Sequence, residues 1–150
     1  ISVTGVQTCA LPICYSEQLA KCVHIPVVED FLSPYENHRM PWVVLHELAH
    51  AFHDQVLGFD EERVKAAWKK FKASGKYASV LTSPGHLREH YALTNQQEFF
   101  AEMTESYFGS NDFYPFVTGE LKQAEPEIFA LLAEIWGPLP ARPAPRPKDK

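Results

Sequence analysis

Two imidazoles and a carboxylate stand within five residues of one another at His46-Glu47-Leu48-Ala49-His50. On an α-helix, residues four apart lie one turn above each other on one face, so both imidazoles can reach a single metal ion. Glu47, one position on, points to the side of that pair, where it can take a proton from a metal-bound water. Residue frequencies alone place this pattern in roughly 3% of chains of this length and histidine content, so its surroundings decide its meaning. Those surroundings are apolar: Trp42, Val43, Val44 and Leu45 precede it. Two histidines and a glutamate on a buried helix need polar partners, and a metal ion supplies one. The plainer reading, histidines satisfied in a core or at the surface, fits those flanks less well.

A catalytic zinc site takes three protein ligands and keeps a fourth position open. A third histidine six residues after His50 would stand at position 56, which is Val56, and position 53 carries His53 rather than glycine. His53 shares a face with His46 and His50, but one helix does not easily surround a tetrahedral ion with three donors. His53 is therefore expected to support a ligand or to be simply polar, and Asp54, one turn after His50, is a weaker candidate for the same supporting role. A better source of the third donor is the segment Gln96–Phe108, where Glu98, Glu102 and Glu105 form one acidic stripe at spacings of four and three. Such a stripe is ordinarily a solvated face. Here it borders Phe99, Phe100, Met103, Tyr107 and Phe108, which favours metal contact by the stripe. Glu102, one turn on, is placed to hydrogen-bond a ligating histidine and fix its tautomer.

The elements that must position these groups are read from periodicity and punctuation. Cys22–Val28 is β-branched and apolar, a strand. Glu29–Arg39 is mostly polar and reads as a loop. Pro41 suits a first helical turn, and Val44, Leu45, Leu48, Ala49 and Phe52 recur at helical spacing until Gly58 stops the helix near Leu57. Asp60 is expected to cap a second helix to about Ala73, whose Lys69, Lys70 and Lys72 favour its C-terminal dipole. Tyr77–Thr82 is a candidate strand before the turn Ser83-Pro84-Gly85. Asn95 caps Gln96–Phe108, closed by Gly109; Phe116–Ala124 reads as helical; Pro126 opens a last helix to Trp136. The fold class is mainly α, in an α+β arrangement.

The chain has 150 residues, 45% apolar and 22% charged, which fits one globular domain. No apolar run reaches the ~18–20 residues of a membrane helix. The net charge of −5 gives no basic footprint for nucleic acid, and three cysteines are too few for a disulfide scaffold. Val3–Ile13 (VTGVQTCALPI) matches the translation of a sequencing-adapter oligonucleotide, so residues 1–13 are expected to be read-through. On that reading Cys9 carries no meaning, the native protein begins further upstream, and Cys14 and Cys22 are left, paired or reduced. The domain is expected over 14–137, with a proline-rich disordered tail at 138–150.

HELAHAFHD followed by YALTNQQEFFAEMTESYFG resembles the catalytic domain of the anthrax lethal factor-like metallopeptidases, which include the bacterial Pro-Pro endopeptidases and are zincins of the gluzincin type. The likeness covers about Trp42 to Trp136. It implies one Zn2+ held by His46, His50 and Glu98, with Glu47 as general base. It further implies that Tyr91 hydrogen-bonds the tetrahedral intermediate and that Glu102 is the acidic residue supporting a ligand. It implies a zinc metalloendopeptidase, a hydrolase acting on a peptide or protein substrate; a monomer is expected, and charge and hydropathy give no nucleic acid or membrane partner. An extracellular or cell-envelope location follows only from the relatives, which are often secreted. The family's sheet precedes the active-site helix, and here only Cys14–Pro41 does, so a small, truncated sheet is expected. The alternative is a zinc-binding, catalytically inactive interaction module. A zincin acting on DNA-bound protein would use a third histidine and basic segments, which this chain lacks.

Overall fold

The computed structural model describes residues 7–8, 23–25 and 27–140. The expected read-through segment beyond Gln7–Thr8, Cys14, Cys22 and residues 141–150 lie outside the described residues. Helix is the dominant element. Two short antiparallel pairs accompany it: β1 (Gln7–Thr8) with β2 (Val23–His24), and β3 (Val80–Leu81) with β4 (Leu87–Arg88). The first pair lies against α3 (Val43–Phe52). No helix among the described residues is long and apolar enough to cross a membrane.

The centre of the molecule is α5 (Gln96–Phe108), in which every residue from Glu98 to Tyr107 is buried. It packs against α3, α4 (Glu62–Ala73), α6 (Thr118–Ala124), α7 (Pro126–Trp136) and a 3-10 turn at Tyr91–Leu93. A helix covered on all sides must satisfy its polar side chains from its neighbours. Trp136 Nε1 donates to Thr104 Oγ1 at 3.1 Å and Ser106 Oγ donates to the Pro115 carbonyl at 2.7 Å. Apolar faces of α5 meet α4 and α7 through Phe99, Phe100, Met103 and Tyr107, joined by Val64, Phe71, Ile128 and Leu132. Burial of each large side chain contributes roughly 1.5–3 kcal/mol.

The start of α5 is as its sequence signals. Asn95 Oδ1 accepts from the backbone N–H groups of Gln97 at 2.9 Å and Glu98 at 2.8 Å. These are donors a helix cannot satisfy internally. At the other end Gly109 lets Trp42 lie against the backbone, since a Cβ there would fall 2.3 Å from the indole.

Several elements differ from the sequence reading. Glu29–Arg39 is not an open loop: it holds α1 (Val28–Phe31) and α2 (Pro34–Arg39). Pro34 stands at the first helical position, where its missing N–H is harmless. The helix carrying His46 and His50 does not run as one α-helix to Leu57. It changes to a π-helical turn at His53–Leu57, and Gly58 ends it at φ +80°. Glu61, not Asp60, caps α4, accepting from Val64 N–H at 2.8 Å, while Asp60 pairs with Lys65 at 2.6 Å. The strand foreseen at Tyr77–Thr82 is shortened to Val80–Leu81. At the far end Leu139 still packs on the core, and the Gly137 carbonyl accepts from Tyr107 Oη at 2.8 Å.

Because the Asn95 cap fixes the turn carrying Glu98, Asn95→Ala is expected to lower stability by about 1 kcal/mol in urea denaturation, and Asn95→Asp to restore most of it. An unchanged midpoint in Asn95→Ala would show that the cap contributes nothing.

Candidate metal centre

α3 and α5 lie side by side, and their contact face carries the polar groups foreseen in the sequence. His46 Nε2 and Glu98 Oε2 are 3.1 Å apart, His46 Nε2 and His50 Nε2 are 3.1 Å apart, and His50 Nε2 and Glu98 Oε2 are 3.3 Å apart. Three donors from two helices thus form a nearly equilateral triangle, both histidines buried and Glu98 nearly so. Donors about 2.1 Å from a tetrahedral ion lie about 3.4 Å from one another, so these edges fit a small divalent cation with one position left open. The buried His and Glu groups can hold a metal ion. A second overlapping set, His46, Glu102 and Glu105, also converges.

The orientation of His46 comes from α5. Glu98 and Glu105 are seven residues apart, two turns along one face. The imidazole lies between them: Nδ1–H donates to Glu105 Oε1 at 2.7 Å while Nε2 faces Glu98. The contact expected from Glu102 is therefore made by Glu105. Glu102 Oε1 stands 3.7 Å from the same nitrogen, and its other oxygen has no hydrogen-bond partner among the described residues. The signal that could have found Glu105 was present in the sequence as its two-turn spacing from Glu98.

The electrostatics follow from burial and crowding. Burial alone would lower the His46 pKa. The hydrogen bonds to Glu105 and Glu98, with the added field of Glu105 and Glu102, raise it well above 6.5. Burial would raise Glu98, but bonding from His46 and His50 brings it down to about 2. Glu102 goes the other way: burial, then the charges of Asp112 and Glu105, push it well above its ordinary value. Asp112 rises to about 7 through burial and the Glu105 charge.

The remaining expected residues take different places. Glu47 is buried on α3, and its charge is among those acting on Tyr91. Tyr91 is half-buried on the 3-10 turn. Its hydroxyl pKa is pushed up to about 12 by burial and by Glu98, Glu102 and Glu47. His53 does not join the cluster. It is fully buried, packs 5.3 Å from the Phe59 ring and 4.8 Å from Phe100, and neither ring nitrogen has a hydrogen-bond partner among the described residues. Burial lowers its pKa to about 4. Helical spacing placed His53 on the ligand face, but aromatic rings of the neighbouring elements take it up instead. Asp54 is exposed and so does not support a buried ligand.

The chain matches no family model, no curated protein and no solved structure.

A ligating imidazole must be neutral at its donor nitrogen, so metal uptake expels the extra proton of His46 and affinity rises with pH towards the folded-state value. Zinc titration calorimetry near neutral pH, in buffers of different ionisation enthalpy, is expected to show proton release; a heat independent of buffer would contradict the raised His46 pKa. In the metal-free fold the same shift contributes stability that is fully present below 6.5 and is lost as pH rises through the raised value. The Glu98 contribution is present above 4.5 and is lost as pH falls through about 2. Glu105→Gln, which removes the charge behind Nδ1, is expected to weaken binding of a divalent cation roughly 10–100-fold in competition with a chromophoric chelator.

Proposed function

We propose that the chain is a zinc-dependent metalloendopeptidase that holds one Zn2+ through His46, His50 and Glu98. The observation that carries this reading is the buried donor triangle with edges of 3.1, 3.1 and 3.3 Å. Two imidazoles, one carboxylate and an open position suit zinc and the hydrolysis of a carbonyl substrate. When bound, zinc supplies a Lewis acid that polarises a carbonyl and acidifies water.

The chain's own groups then divide the work on a peptide bond. Glu47, buried and one residue from His46, takes the proton of the attacking water and passes it to the leaving amine as the C–N bond breaks. Tyr91, protonated at any working pH because its pKa is about 12, donates a hydrogen bond to the developing oxyanion. Glu105 keeps the His46 ring in the orientation that aims Nε2 at Glu98. The aromatic residues behind α5 lower the local dielectric and strengthen each of these interactions. The substrate is a peptide or protein.

Zinc per chain measured by elemental analysis is expected to be one in the parent and to fall sharply in Glu98→Ala. Glu47→Gln is expected to keep the metal and lose turnover roughly 10²–10⁴-fold. Tyr91→Phe should lower kcat far more than it changes KM. Activity retained in Glu47→Gln would remove it as the base. A parent that binds zinc yet cleaves no peptide would be a zinc-binding interaction module, and a parent without zinc would overturn both readings.

A further inference from the structure

The hydroxyl of Tyr91 is useful only if the turn that carries it is held still, and the turn is only three residues long, Tyr91–Leu93. Its fastening is concentrated on one residue, His90. His90 Nδ1 accepts the Ala92 backbone N–H at 3.1 Å, and the His90 carbonyl accepts Leu93 N–H at 3.0 Å. The His90 N–H donates to the Tyr77 carbonyl at 3.0 Å. From the other side Trp68 Nε1 donates to the Ala92 carbonyl at 3.1 Å.

The cap is chemically unusual. Asn, Asp and Ser are the ordinary acceptors at such a position. An imidazole adds a flat ring, and this one is 1% exposed. It stacks on Phe113 at 4.9 Å and meets Phe71 and Tyr77 edge-on at 5.6 and 5.7 Å. A phenyl would fill the same aromatic slot, but it could not accept the Ala92 N–H. The acceptor role puts the proton on Nε2, which has no hydrogen-bond partner among the described residues. Burial also lowers the ring's pKa to about 3, so the cap stays neutral and able to accept over the working pH range.

We propose that His90 is the positioning residue of Tyr91: its Nδ1, as the acceptor of the Ala92 N–H, fixes the backbone of the turn. The hydroxyl is thereby held within the field of Glu98, Glu102 and Glu47 before substrate arrives. The role of that hydroxyl rests on the function proposed above; how it is held does not.

The test uses the full chain as parent, His90→Phe, His90→Asn, Tyr91→Phe and the double variant His90→Phe/Tyr91→Phe. Zinc content and cleavage of fluorescein-labelled casein are measured on each. The 19F spectrum of 3-fluorotyrosine-labelled protein is recorded as well, with the Tyr91 line assigned by its loss in Tyr91→Phe. His90→Phe is expected to keep zinc and KM, to lose kcat by the same factor as Tyr91→Phe, and to shift the Tyr91 line. His90→Asn restores an acceptor and is expected to keep both the line and, within about threefold, kcat. The double variant should be no slower than Tyr91→Phe alone, since the histidine acts through the tyrosine. Parent-like kcat and an unmoved line in His90→Phe would overturn the proposal, as would a double variant slower than either single one. If the parent cleaves no casein, the peptidase reading fails on that probe while the 19F comparison still decides the positioning. If one His90 variant does not fold, the other decides: a displaced line in His90→Asn, or an unmoved one in His90→Phe, overturns it.

Discussion

The structure depends on the pinning of one buried imidazole between two carboxylates. His46 lies across two turns of α5, with Glu105 at one nitrogen and Glu98 at the other. Charged groups removed from water cost several kcal/mol each unless they are paired and hydrogen-bonded. Here pairing is available only if α3 and α5 pack in one register. A slide of one turn along α5 would take Glu98 from both histidines and break the bond between Glu105 and His46. The polar cluster therefore fixes the central helix contact as well as the chemistry.

Around this contact the core is arranged to keep water out. α5 is covered on all sides, and its Thr104 and Ser106 find partners in neighbouring elements. The dry surroundings have two opposite effects. They strengthen the His46 hydrogen bonds enough to keep that ring charged, and they force Glu102 and Asp112 towards their neutral forms. A cation entering the triangle would relieve the crowding of carboxylates and displace the proton of His46. In physical terms the triangle is a set of donors drawn together by a shared proton, with edges that a small cation can also span.

Much of this was legible along the chain. The limits of α5 and α7 followed from Asn95, Gly109, Pro126 and Gly137, because capping and helix termination are local chemistry acting over a few bonds. The pair His46 and His50, with the acidic stripe on a second helix, followed from helical periodicity. What was not legible involved contacts between elements. Pro34 looked like a loop signal and instead begins α2. His53 had the right spacing to face the metal, yet Phe59 and Phe100 take it up. The supporting bond expected of Glu102 belongs to Glu105, since the crossing of α3 over α5 decides which turn meets Nδ1. Nothing in the spacing marked His90 as the cap beneath Tyr91.

The sequence by itself determined α5 and α7, their ends and the kinds of donor α3 and α5 would carry, because helical propensity, capping and side-chain periodicity act between near neighbours. The tertiary structure alone decided which donors meet. Whether a histidine ends against a carboxylate or against an aromatic ring depends on the register and crossing of two helices some fifty residues apart in the chain. That register is set by packing of the whole core, together with the need to pair every buried charge.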